Sequence, residues 1–201
     1  MASPRAIGIT LRRVSWRPAL HLLSALVPLS YAYGAGRPQL LVLLGSAVTV
    51  ALVIEVLRRV SVRARAMFER WTGPLLRDYE WDGLTAATWL AVSLFAATAL
   101  LPRDPAVAAM WCVTAGDPAA ALVGTAWRAR GHGPSGSGRT VVGSFAMCCV
   151  SSVGAIMLAG VSPAGAVTIG VAAAAAERVG GRVNDNVTIM LGAALAALAV
   201  S

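Results

Sequence analysis

The chain contains no lysine, and charged residues of every kind make up only 13% of its 201 positions. A soluble domain carries roughly a quarter, so an ordinary solvated surface is excluded. Acids are scarcer still, nine against seventeen basic residues, all of them Arg. Cysteine appears three times, at Cys112, Cys148 and Cys149. With no Cys-x-x-Cys and no His nearby, neither a disulfide framework nor a zinc site is supported, which leaves these thiols as small apolar filler. No small-residue cleavage site follows the first apolar run, so no cleavable signal peptide is expected.

What the chain does have is hydrophobic residues, 57% of the total, with a mean hydropathy of +0.70. Crossing ~30 Å of hydrocarbon takes about 20 apolar residues. Seven runs approach that length: 19–35, 39–57, 85–102, 105–127, 141–160, 163–178 and 186–201. The last two are rich in Ala and Gly, which suits close helix packing in lipid. The expected fold is all-α, a polytopic transmembrane helix bundle of about seven spans forming one integral membrane domain over 1–201.

Arginine placement orients this bundle. With the N-terminus cytoplasmic, one side holds Arg5, Arg12, Arg13, Arg17, Arg58, Arg59, Arg63, Arg65, Arg70, Arg77, Arg128, Arg130, Arg139, Arg178 and Arg182, and the other only Arg37 and Arg103. Such a split obeys the positive-inside rule. The net charge of +8 then reflects topology, anionic headgroups and an anionic substrate rather than nucleic acid.

Eight of the nine acids fall on the Arg-rich side, Asp104 being the exception. Ionisable groups in or near a span are expensive and face polar cavities. Gly116-Asp117-Pro118 interrupts the fourth span, where Pro118 is expected to break the helix. Asp117 then either caps the half-helix that follows or faces a cavity that the broken helix lines. Between spans four and five, Gly131-His132-Gly133-Pro134-Ser135-Gly136-Ser137-Gly138-Arg139-Thr140 is either a flexible connector or an anion cradle. For the cradle, Gly-rich backbone precedes a helix N-terminus, and Arg139 can grip phosphate oxygens bidentately. The segment joins two spans rather than following a buried strand, so it is not a P-loop. Leu76 to Gly83 is acidic but lacks the twelfth-position acid of a calcium loop. The Glu177-Arg178 and Asn184-Asp185-Asn186 pair closes the last cytoplasmic turn. Loops after spans two, four and six thus open on one side, where acids suit a divalent metal and Gly with Arg suits phosphates.

These elements resemble the CTP-dependent polyprenol kinases, a family that includes dolichol, phytol and CTP-using diacylglycerol kinases and is similar to the CDP-diacylglycerol synthases. The resemblance runs from about residue 12 to the end. An Arg-Lys-x-x-His element of that family looks like Arg17-Pro18-Ala19-Leu20-His21. A Glu before basic residues looks like Glu55 with Arg58 and Arg59, and an Arg-x-x-Glu element like Arg77-Asp78-Tyr79-Glu80. Gly-Asp-x-x-Ala with a following Gly is matched by Gly116-Asp117-Pro118-Ala119-Ala120 and Gly124. A loop ending in Lys-Ser/Thr-x-x-Gly-Ser is matched by Arg139-Thr140-Val141-Val142-Gly143-Ser144, and a closing Glu with Asp-Asn by Glu177 and Asn184-Asp185-Asn186. Pro18 and Arg139 stand where the family has Lys, and Val142 where many relatives carry Glu.

The resemblance implies transfer of the γ-phosphate of CTP to a membrane-embedded long-chain alcohol: phytol, polyprenol, dolichol or diacylglycerol. It implies Mg²⁺ on Asp117 and Asp185, with Glu177 or Glu80 as base or supporting ligand. Gly136, Gly138, Arg139, Thr140, Gly143, Ser144 and Asn186 would hold the nucleotide. Arg17, His21, Glu55 and Arg77 would act on the substrate side or as auxiliaries. The implied partners are CTP, the lipid alcohol and the bilayer of a prokaryotic inner membrane, with the site on its cytoplasmic face. No nucleic acid is implied, and a homo-oligomer stays open. A cytidylyltransferase acting on the α-phosphate and a non-enzymatic bundle or transporter are the alternatives.

Overall fold

A computed structural model describes residues 19, 21–73, 76, 80–81, 83–132, 138–179 and 184–201. The described residues form eight helices: α1 (Leu26–Ala32, entered through a helical turn from His21), α2 (Arg37–Val60), α3 (Val62–Thr72), α4 (Ala86–Leu100), α5 (Arg103–Ala129), α6 (Val141–Ala159), α7 (Pro163–Val179) and α8 (Asp185–Val200). Each of the seven apolar runs therefore contains one helix, and α3 is additional. Three helices, α2, α5 and α6, are long and apolar enough to cross a membrane. The rest are shorter, down to the seven residues of α1, or about 10 Å of rise.

Local chemistry sets the helix ends. Pro38 sits in the first turn of α2, where its missing N–H goes unneeded. Side chains of Thr85, Thr140 and Asn184 accept backbone N–H bonds at the starts of α4, α6 and α8. Gly160, with φ of 64°, ends α6 while Val161 N donates back to Ala155 O.

Helix α5 is the axis of the bundle. Ala106 through Met110, Cys112 and Val113 are at most 1% exposed, so this stretch is enclosed on every side, by α1, α4, α6 and α8. Large apolar side chains stand exposed on the outer helices instead, among them Val42 and Val53 on α2, Met157 on α6, Val171 on α7 and Leu195 on α8. Arg37 and Arg103, the two residues set apart by the charge pattern, lie at one end and hold helix C-termini. Arg37 donates to Ala99 O, while Arg103 donates to Tyr31 O at 2.8 and 3.0 Å and to Ala32 O at 2.8 Å.

The fourth run corrects one expectation. Pro118 does not break the helix, because the backbone widens into a π turn over Cys112–Gly116, and Asp117 N donates five residues back to Cys112 O. The wider turn accommodates the proline ring and its missing bond. Asp117 has ordinary helical dihedrals (φ −63°, ψ −47°), so it does not cap a separate half-helix.

Gly116, Ala120 and Gly124 recur every four residues along α5 and form the face that meets α6. A Cβ on Gly116 would lie 2.6 Å from Ser151 Oγ, and one on Gly124 would lie 2.8 Å from Thr140 Oγ1. Across the contact, a Cβ on Gly143 would lie 2.8 Å from the backbone oxygen of Ala120. The small residues of the Gly-Asp-x-x-Ala element thus let two backbones approach, as small-xxx-small faces do in lipid. Gly143→Ala is expected to destabilise the bundle by about 1–3 kcal/mol, read as a lower melting temperature in detergent. An unchanged melt would show that α5 and α6 have room to separate.

Candidate functional site

At the end of the bundle opposite Arg37 and Arg103, the starts of α1, α4, α6 and α8 meet the ends of α2, α3, α5 and α7. A cavity of about 250 Å³ opens there. His21, Glu80, Asp117, Asp185 and Asn186 form its polar wall, and Phe68, Leu76, Ala86, Ala87 and Leu90 its apolar wall, with Thr72, Thr85 and Asn184 between them. Five residues singled out in the sequence thus converge on one space. His21 Nδ1 stands 3.6 Å from Asp117 Oδ2, close enough for a protonated imidazole to pair with the carboxylate. Glu80 is 1% exposed. Asn186 donates its amide to Ala86 O at 2.9 Å and ties the starts of α8 and α4 together. Asn184 Oδ1 accepts Asn186 N at 3.0 Å, which orients the turn presenting Asp185.

A second group adjoins this cavity through Asp185. Arg139 Nη2 donates to Asp185 Oδ1 at 2.5 Å, Nη1 to Arg178 O at 3.3 Å, and Nε lies 3.9 Å from Glu177 Oε1. Ser144 Oγ donates to Glu177 Oε2 at 3.4 Å and accepts from Arg178 Nε at 3.1 Å. Thr140 caps α6 through Gly143 N at 3.0 Å, and Arg128 Nη1 reaches Gly138 O at 2.5 Å. The three guanidinium nitrogens of Arg139 each serve a different partner, an arrangement a lysine cannot reproduce. Arg139, Ser144, Glu177 and Arg178 therefore form a latch between the start of α6 and the end of α7, with Asp185 belonging to both latch and cavity. Gly143 has a packing role of its own against Ala120.

Glu55 lies elsewhere, buried in a clamp at the end of α2. Its Oε2 pairs with Arg58 Nε at 2.7 Å and Nη2 at 2.6 Å, while Oε1 accepts Thr85 N at 2.8 Å and Thr88 Oγ1 at 3.0 Å. Arg58 further donates to the backbone oxygens of Glu80, Trp81 and Gly83. The clamp thereby positions the segment carrying Glu80, so Glu55 supports the cavity from behind. Arg17, Arg77 and Gly136 lie outside the described residues.

The sequence reading missed the contribution of α3. Phe68 and Thr72 stand four residues apart on one face of α3 and both line the cavity; that spacing was the available signal. Among the described residues, no three His, Cys, Asp or Glu side chains are grouped so as to hold a metal by themselves. The three thiols are free. In comparison with known proteins, no family model, no curated protein and no solved structure matches the chain.

Proposed function

We propose that the protein is an integral membrane kinase that transfers the γ-phosphate of CTP to the hydroxyl of a membrane-embedded long-chain alcohol. In this reading all seven apolar runs cross the bilayer, the shorter ones where the membrane adapts to them, and the N-terminus and site are cytoplasmic. The observation that carries it is the two-faced cavity, where an apolar wall of Phe68, Leu76 and Leu90 faces Glu80, Asp117 and Asp185. A lipid alcohol needs that combination: hydrocarbon on one side and groups that handle a proton and phosphates on the other. The choice of CTP and of kinase chemistry rests on the sequence resemblance.

The donor set fits Mg²⁺, which typically binds one or two carboxylates plus substrate phosphates and water. Asp117 and Asp185 line the same cavity and would hold the ion. When bound, it would neutralise charge on the β- and γ-phosphates. Arg139, at the shared edge, would exchange part of its carboxylate pairing for phosphate oxygens. The alcohol oxygen then bonds to the γ-phosphorus, the bond from that phosphorus to the β,γ-bridging oxygen breaks, and CDP leaves. Of the two bases the sequence suggested, Glu80 lines the cavity and suits acceptance of the hydroxyl proton. Glu177 instead holds the latch.

Purified protein with CTP labelled at the α- or γ-phosphate, Mg²⁺ and a panel of phytol, polyprenol, dolichol and diacylglycerol tests this. The expected outcome is γ-label in the lipid product and none from the α-position. α-Label in the lipid with release of pyrophosphate would mean a cytidylyltransferase. No transfer to any alcohol would reject the kinase reading.

A further inference from the structure

A second cavity, of about 200 Å³, lies where α2 meets α3 and is lined by Arg58, Arg59, Arg65, Phe68, Glu69 and Trp81. Three guanidinium groups against one carboxylate leave it a surplus of positive charge. Arg58 is committed to Glu55 and to backbone oxygens. Arg59 is not so committed: its side chain is 48% exposed, and its Nη2 lies 3.9 Å from a Glu55 carboxylate already shared with Arg58. Arg65 pairs with Glu69 at 2.9 Å, but that i,i+4 pair is exposed on both sides, so it holds its partner weakly. The Phe68 ring, with Arg58 Cζ 5.2 Å from its centroid, supplies an apolar floor.

The position of this cavity narrows what it can bind. Helix α2 is one of those long and apolar enough to cross a membrane, and it ends at Val60, where Ser61 takes an extended conformation (φ −124°, ψ 119°). Helix α3 then restarts, with Ser61 Oγ accepting Ala64 N. It carries Arg63, Arg65 and Arg70 beside the exposed Val62, Met67 and Trp71, the last 77% exposed. A short helix that is basic and apolar at once, directly after a span, suits the headgroup layer, where Trp is enriched. Two available guanidinium groups at that depth match the oxygens of a phosphodiester.

We propose that this cavity binds the headgroup phosphate of an anionic phospholipid, with Arg59 and Arg65 as its ligands. A zwitterionic lipid brings an ammonium group that the surplus positive charge repels, so the site favours a headgroup without a cation. The inference depends on α2 crossing a membrane and not on the kinase reading.

The test uses the full chain in phosphatidylcholine nanodiscs with increasing phosphatidylglycerol, bound lipid being counted by native mass spectrometry. Wild-type protein should retain phosphatidylglycerol in preference to phosphatidylcholine. The double variant Arg59→Gln/Arg65→Gln should bind it about thirtyfold more weakly, as expected for two Arg contacts at a membrane surface. Arg63→Gln/Arg70→Gln removes the same charge from the same region but alters no residue lining the cavity. Charges that act on the bound phosphate only through screening solvent should leave the affinity within roughly twofold of wild type. Equal weakening in both double variants, or in neither, would overturn the site. A further arm titrates inorganic phosphate into lipid-free protein in detergent. Binding as tight as that of the lipid, and equally lost in Arg59→Gln/Arg65→Gln, would make free phosphate the ligand and refute the lipid assignment. Melting temperatures of the variants should stay near wild type, because both side chains are exposed.

Discussion

Asp117→Asn is expected to lower turnover by about a thousandfold while the bundle stays folded. The backbone at Asp117 has ordinary helical dihedrals, and the chain continues through it as helix on both sides. Asn adopts that conformation at about the same intrinsic cost as Asp. The amide also has the shape of the carboxylate, so the cavity wall is preserved. What disappears is one negative charge among Glu80, Asp117 and Asp185, facing His21 at 3.6 Å. If that charge compensates a metal ion in the transition state, its loss is worth several kcal/mol. Turnover by γ-labelled CTP transfer and melting in detergent are measured on the same preparation. Near-wild-type turnover in a well-folded Asp117→Asn protein would remove Asp117 from the chemistry and leave any metal to Asp185 and Glu80.

How much of this was legible in the sequence depends on the range of the interactions involved. All seven apolar runs became helices, since run length and composition are local properties. The Arg pattern likewise separated Arg37 and Arg103, which do sit at the end away from the cavity. Convergence of His21, Glu80, Asp117, Asp185 and Asn186 followed from helices alternating between two ends, a consequence of short connections. Pro118 misled because the rule for proline is local, whereas the π turn before it lies where Gly116 packs on Ser151 and Met147 of α6. The role of Glu55 was invisible for the same reason: its partners Thr85 and Thr88 lie 30 and 33 residues away. Helix α3 was absorbed into a connector because its mixed basic and apolar composition gives no span-like run. Gly116 and Gly124 stood only as parts of a motif and Gly143 as a nucleotide contact, although a Cβ on them would crowd Ser151 Oγ, Thr140 Oγ1 and the backbone oxygen of Ala120 respectively.

Arg58→Leu is expected to destabilise the protein by about 3–5 kcal/mol, the usual consequence of removing one partner from a buried ion pair. Both side chains are nearly fully buried, at 6% and 3% exposure. The Glu55 carboxylate would therefore lose its close cation and keep only the half-exposed Arg59 at 3.9 Å in an environment that solvates it poorly. Unlike most ion pairs, this one is also a scaffold. Arg58 donates to backbone oxygens of Glu80, Trp81 and Gly83, and Glu55 accepts from Thr85 at the start of α4. Removing Arg58 therefore both strands a charge and releases the segment that carries Glu80 into the cavity. The double variant Glu55→Leu/Arg58→Leu separates these effects. With no charge left to strand, most of the lost stability should return, since apolar pairs commonly replace buried ion pairs without penalty. Turnover should not return, because Arg58 then no longer holds the Glu80 segment by its backbone oxygens. Chemical denaturation in detergent and γ-label transfer, measured on wild type and both variants, give the two readings. An Arg58→Leu protein that unfolds like wild type would show the clamp to be energetically idle. A double variant that recovers turnover along with stability would show that the position of Glu80 does not depend on Arg58.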